Sequence, residues 1–185
     1  QAKKRGVQVT AEVTPQHLIL TDEALRTFET RYKVNPPIRS EEHRAACVAG
    51  LQDGTIDAVV TDHAPHEWEE KDQEFNLAPS GFVGLETSVG AMLTYMYHTG
   101  HIDLMTLVNA MSTAQAKILG LDAGVIAPGK DADLTVLDLD KEWTVDSSKF
   151  YSKGKASPFD EMIFKGKAAA TIVNGEIVMK NGEVL

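Results

Sequence analysis

The stretch Ile56-Asp57-Ala58-Val59-Val60-Thr61-Asp62-His63-Ala64-Pro65-His66 decides the fold. Its first half is an apolar, β-branched run without alternation, the pattern of a strand buried on both faces. Its second half places an aspartate and two histidines where that strand ends. In a β/α barrel the strand ends carry the loops that face the active site, and a carboxylate on the last residue of a buried strand is held rigidly toward the mouth. Asp62 is therefore a candidate metal ligand and general base, with His66 one short loop away. The competing reading is structural, because an aspartate at a strand end also caps turns and Ala64-Pro65 favours one.

Upstream, Val7 to Val13 is rich in β-branched residues and stops at Thr14-Pro15, which predicts another strand. Thr21-Asp22 opens a short helix carrying Leu25 and Phe28, and Pro36-Pro37 forces an irregular loop around Asn35. Ser40, followed by Glu41 and Glu42, predicts a helix to Asp53 with Gly54 as its stop. Strand, helix and buried strand in that order form a βαβ unit, so Val7 to Val13 and Ile56 to Thr61 are expected to be parallel neighbours with Asp62 at their carboxyl end. After the charged loop Glu67 to Lys71, helices are predicted from Leu85 to about Thr99 and from Asp103 to about Leu119.

The pattern changes near Gly120. Short β-like runs follow at Leu134 to Leu137, Thr171 to Val173 and Glu176 to Met179, with Asn174-Gly175 as a two-residue hairpin signal. The expected organisation is a barrel portion over residues 1–120 and a small β domain over residues 121–185.

The chain has 185 residues, 43% hydrophobic and 24% charged, which places it among globular proteins. A net charge of −9 argues against nucleic-acid and anionic-membrane partners, which need a basic face. An anionic substrate is compatible with that charge only through local donors that the total does not reveal. The apolar runs are too short to cross a bilayer. A single cysteine, Cys47, cannot form an internal disulfide, so a reducing cytoplasm is expected, and Cys47 reads as a small core hydrophobe.

The string Thr61-Asp62-His63-Ala64-Pro65-His66 closely resembles the motif of dihydroorotase, a cyclic-amide hydrolase of the amidohydrolase superfamily. Three further blocks extend the resemblance over nearly the whole chain: Glu12-Val13-Thr14-Pro15-Gln16-His17-Leu18, Lys33-Val34-Asn35-Pro36-Pro37 and Gly81-Phe82-Val83-Gly84-Leu85-Glu86-Thr87. The resemblance implies an α/β fold, the C-terminal part of a TIM-like (β/α)8 barrel followed by strands of a small β-sandwich domain. It implies zinc-dependent interconversion of dihydroorotate and N-carbamoyl-L-aspartate in pyrimidine synthesis. Asp62 would bind zinc and act as catalytic base, while His66, Asn35, Ser80 and Gly81 would contact the substrate. At Ser80 the family carries a bulkier residue, so only a backbone role transfers. His63 is expected to point away from the site, if the strand persists through it. His17 reads as structural, Glu12 as a weak candidate for an extra metal, and Arg39 as a solvated cation.

The family's His-x-His pair, its bridging group and its two further histidines precede the first matched block and have no counterpart among the histidines at 17, 43, 63, 66, 98 and 101. The zinc site is thus expected to be incomplete in this chain, which alone should be inactive. The remainder of the barrel is the expected partner, and the lack of an initiating Met agrees with truncation. A homodimer or an aspartate transcarbamoylase complex is also compatible with the resemblance. Alternatives within the same architecture are hydantoinase, dihydropyrimidinase and allantoinase, and an alternative of another class is a non-catalytic structural partner of aspartate transcarbamoylase.

Overall fold

A computed structural model describes all residues from Gln1 to Leu185. Strand β1 (Glu12–Val13) pairs in parallel with β2 (Ala58–Val59), in the register Glu12 to Ala58 and Val13 to Val59. Between them run the short helix α1 (Pro15–Ile19) and the crossover helix α2 (Glu41–Gln52). The parallel neighbours predicted from the sequence are present, but both strands are much shorter than expected. Val7 and Val9 are 50% and 44% exposed, because β-branched side chains favour a strand only where a partner strand and a packed face receive them.

Ser40 occupies the N-cap of α2 in an extended conformation, yet its hydroxyl is spent on the His43 ring, with Oγ 2.8 Å from Nδ1. The helix start rests on the two glutamates of the first turn, which suit the positive end of the helix dipole. Arg44 grips Glu41 at 2.6 Å and reaches across to the Leu18 carbonyl at 3.0 Å, tying α2 to α1. Beyond β2 come α3 (Trp68–Lys71) and α4 (Ser88–Met92), the latter continuing as a wider π-turn over Leu93–Tyr97. A further helical stretch combines α5 (Leu104–Val108), a π-turn (Asn109–Thr113) and α6 (Ala114–Leu119). None of these helices is long and apolar enough to cross a membrane.

The remaining strands, β3 (Leu134–Thr144), β4 (Ile163–Val173), β5 (Glu176–Lys180) and β6 (Glu183–Val184), form one antiparallel sheet in sequential order. Asn174 and Gly175 turn β4 into β5 with φ of 50° and 83°, the left-handed pair that a two-residue hairpin requires. Three apolar clusters hold the chain together, a minor one of Val34, Ile38 and Phe82 and two larger ones. The largest joins Val13, Val59, Leu18 and Val48 to Met92 and Leu107, so it glues the parallel pair to the helices around it. The second joins Val83 and Ala91 to Val145, Phe159 and Phe164, so the antiparallel sheet docks on α4.

Phe164 is fully buried at the centre of that second cluster, with edge-on aromatic contacts to Trp143 at 5.5 Å, Phe159 at 5.7 Å and Tyr95 at 6.0 Å. Phe164→Ala is expected to destabilise the chain by about 3–5 kcal/mol in urea unfolding, through lost burial and an unfilled cavity. A loss below about 1 kcal/mol would show that the sheet is not anchored through this ring.

Candidate active site

The parallel pair ends with the Val60 amide donating to the Val13 carbonyl at 2.9 Å. Two residues later the backbone turns sharply, with Asp62 at φ 50°, a left-handed conformation that aspartate tolerates better than most residues. The turn throws the Asp62 side chain outward. Its carboxylate is exposed and takes part in no ion pair or hydrogen bond within the chain.

The strand does not persist through His63, so the expected alternation does not govern that residue. Its ring instead accepts hydrogen bonds at Nδ1 from the amides of Gly84 at 3.1 Å and Leu85 at 3.3 Å. The Ala64 amide donates to the Phe82 carbonyl at 3.0 Å, and His63 and Phe82 form a parallel bridge. Residues 61–64 are therefore stitched along residues 82–85, which brings two of the sequence blocks into register.

His66, Ser80 and Gly81 meet directly. The His66 ring places Nε2 3.0 Å from the Ser80 carbonyl oxygen and Nδ1 3.2 Å from a Glu70 carboxylate oxygen. Gly81 has φ 126°, and a Cβ there would lie 2.8 Å from the Ala64 Cβ and 3.1 Å from His66 Nε2. Glycine is required on both counts. The close approach expected of Gly81 is thus made to the protein itself, and its amide already donates to the Lys33 carbonyl at 2.9 Å.

Asn35 is exposed on the loop that Lys33 begins. That loop is fastened on one side by the Gly81 amide and on the other by His17, whose Nε2 lies 2.9 Å from the Pro36 carbonyl and whose Nδ1 lies 2.6 Å from the Thr14 hydroxyl. His17 is a connector here, and Glu12 stands on β1 away from any cluster of ligands. Asp62 reaches this assembly through Ala64 and His63 rather than by contact. Nowhere do three or more His, Cys, Asp and Glu side chains converge to hold a metal ion. Asp62, exposed and unpaired, fits one position of such a site, and a zinc centre takes three or four protein donors.

Lys71 escaped the sequence reading, where it belongs to a charged loop. At the end of α3 it is buried, and its ammonium donates to the carbonyls of Pro79 at 3.0 Å and Gly81 at 2.9 Å. Nothing in the run Glu69-Glu70-Lys71-Asp72 marks this lysine apart from its solvated neighbours. Burial, reinforced by the nearby Lys33 charge, pulls its pKa down to about 8. A folded-state value below the unfolded one means that the unfolded chain holds the extra proton as pH rises above about 8, so this group makes folding more favourable with rising pH until the unfolded lysine also titrates. The stability of the chain relative to Lys71→Met is therefore expected to climb between pH 7 and 10 in parallel urea titrations. Parallel curves for the two proteins would refute the burial of a charged Lys71.

The Amidohydrolase family model matches residues 2–178. Among curated relatives, dihydroorotase of Acetivibrio thermocellus is 46% identical over 184 residues, covering 100% of this chain and 43% of the relative. Dihydroorotase of Citrifermentans bemidjiense is 51% identical over 177 residues, covering 96% and 42%. Among solved structures, L-hydantoinase (dihydropyrimidinase) from Arthrobacter aurescens superposes with a TM-score of 0.95 at 38% identity, covering 100% of this chain and 42% of that one. The chain thus spans less than half the length of the relatives it matches. With the parallel pair, its helical crossover and the antiparallel sheet all shared with such structures, the chain belongs to the amidohydrolase family.

Proposed function

We propose that this chain is the C-terminal part of a dihydroorotase, interconverting dihydroorotate and N-carbamoyl-L-aspartate. The observation that carries the reading is the free Asp62 carboxylate, presented on a left-handed turn beside the junction of His66, Ser80 and Gly81. In this reading residues 1–120 belong to the barrel and residues 121–185 to the small β domain. The remainder of the barrel supplies the other ligands, and the setting is cytoplasmic. A homodimer or a complex with aspartate transcarbamoylase is an assembly this reading allows.

Ring opening needs a base that takes a proton from water and returns it to the departing amide nitrogen as the carbon–nitrogen bond breaks. An unpaired carboxylate on the turn that follows β2 does both, because no internal partner has to be released first. Zinc is the metal of this reading, with Asp62 its ligand from this chain, and it would polarise the ring carbonyl. Asn35 and His66 recognise the substrate. To bind the substrate carboxylate, His66 must exchange one of its present partners. Glu70 is the one to yield, since its side chain is 54% exposed and a contact of that kind is worth about 1 kcal/mol or less. The Ser80–Gly81 backbone then fixes the ring from the other nitrogen.

The hydantoinases of the same architecture are the second reading, favoured by the 0.95 TM-score to L-hydantoinase (dihydropyrimidinase) from Arthrobacter aurescens. The higher identity to curated dihydroorotases favours a substrate that carries a carboxylate, and the Gly81 amide, bonded to the Lys33 carbonyl, ties the Asn35 loop to the segment that holds His66. Turnover of dihydroorotate against hydantoin and dihydrouracil by the complete enzyme separates them.

In that enzyme Asp62→Asn is expected to abolish turnover, because an amide accepts no proton. His66→Ala is expected to raise KM by roughly 10- to 150-fold, the equivalent of one hydrogen bond to a charged group at about 1.5–3 kcal/mol. Near-normal turnover by Asp62→Asn with its full metal content, read by steady-state kinetics and elemental analysis, would remove Asp62 from the chemistry.

A further inference from the structure

The segment from Phe75 to Gly81 has no regular secondary structure apart from an isolated turn, yet nearly all of its carbonyls are satisfied by side chains. Lys33 donates from Nζ to the carbonyls of Phe75 at 2.7 Å, Asn76 at 3.1 Å and Ala78 at 2.6 Å. Lys71 donates to those of Pro79 at 3.0 Å and Gly81 at 2.9 Å, and the Ser80 carbonyl faces His66 Nε2 at 3.0 Å, so that of the seven only the Leu77 carbonyl meets no side chain. Neither lysine forms an ion pair. Lys71 is only 3% exposed, and an ammonium taken out of water without a counter-charge is costly unless dipoles replace its hydration. Converging carbonyl oxygens do so here. A surface lysine would avoid the cost altogether, so the arrangement serves position.

The position it sets is that of Gly81. Its amide is held by the Lys33 carbonyl and its carbonyl by the Lys71 ammonium, while the space above its Cα is closed by Ala64 and His66. Lys71 is itself anchored, since the Thr30 hydroxyl donates to its carbonyl at 2.5 Å. Lys33 lies two residues before Asn35, so one residue links the Asn35 loop to the segment that fixes the His66 ring.

We propose that Lys33 and Lys71 are positioning residues: two ammonium clamps that fasten residues 75–81 against His66 and so fix the substrate-carboxylate side of the site. The kinetic part rests on the dihydroorotase reading, whereas the clamp itself does not. A protonated or a neutral amine donates two hydrogen bonds, so the Lys71 clamp is independent of its titration.

The test replaces each lysine by methionine, similar in length and without donors, in the active enzyme that contains this chain. Backbone hydrogen exchange is followed by mass spectrometry over residues 72–83, with residues 104–119 as the internal control, and steady-state kinetics are measured with dihydroorotate. Exchange over 72–83 is expected to quicken at least tenfold with the control helices unchanged. KM should rise at least fivefold while kcat falls less than threefold. Unchanged exchange in both variants overturns the clamp, and faster exchange with an unchanged KM overturns its role in binding. Should Lys71→Met also loosen the control helices, Lys33→Met, at a half-buried residue, decides the matter on the same readouts. If the unmodified enzyme fails to turn over dihydroorotate, the dihydroorotase reading falls, and the clamp is judged by exchange alone.

Discussion

The double hydrogen bond from the Gly84 and Leu85 amides to one His63 nitrogen fixes the geometry on which the site depends. It binds the turn after β2 to the segment entering α4, and β2 is already locked to β1 by its ladder. Without that acceptor the chain after Val60 would have two unpaired amides beside it, in a place where Gly84 comes within 2.8 Å of the Thr61 carbonyl oxygen if a Cβ is imagined on it. Asp62 therefore sits between two fastened points, at Val60 and His63, and its left-handed φ follows from having to turn between them.

The polar side chains divide the work unevenly. Rings of His17, His43, His63, His66 and His98 are all hydrogen-bonded inside the chain, to a hydroxyl, a carbonyl, a carboxylate or an amide. Histidine is the residue most often suspected of catalysis or ligation, and here it works mainly as a connector between loops. The Asp62 carboxylate is left free. That contrast gives the aspartate its weight: a group already committed to holding the fold must give up a contact before it can act, and Asp62 has none to give up.

Much of this was legible because the deciding signals are local. The helix over 41–52 was marked by Ser40, its two glutamates and Gly54, and the β4 to β5 hairpin by Asn174-Gly175, whose chemistry needs no partner to be recognised. Strand lengths were not legible. β3 runs on to Thr144 and β4 begins at Ile163, through Lys165-Gly166-Lys167 and three alanines, because cross-strand pairing rather than intrinsic preference extends them. At the other end, Val7 to Thr10 has the composition of a strand but pairs with nothing in the chain. In the site, the motif residues announced themselves, while Lys71 did not: whether a lysine in a charged run points to water or into a nest of carbonyls is decided by residues eight and ten positions away.

The charge balance takes on a different meaning at this scale. A chain of net charge −9 repels polyanions as a whole, yet it concentrates Lys33, Lys71 and His66 around one short segment. The two lysines face carbonyl oxygens instead of carboxylates, so their charge is not cancelled by a neighbouring anion. Carbonyl dipoles satisfy the hydrogen bonds of an ammonium group without neutralising its field, and in a partly buried setting that field is less screened than at an open surface. The groups that hold the segment in place therefore leave a positive field on the His66 side, against the acidic balance of the rest of the chain.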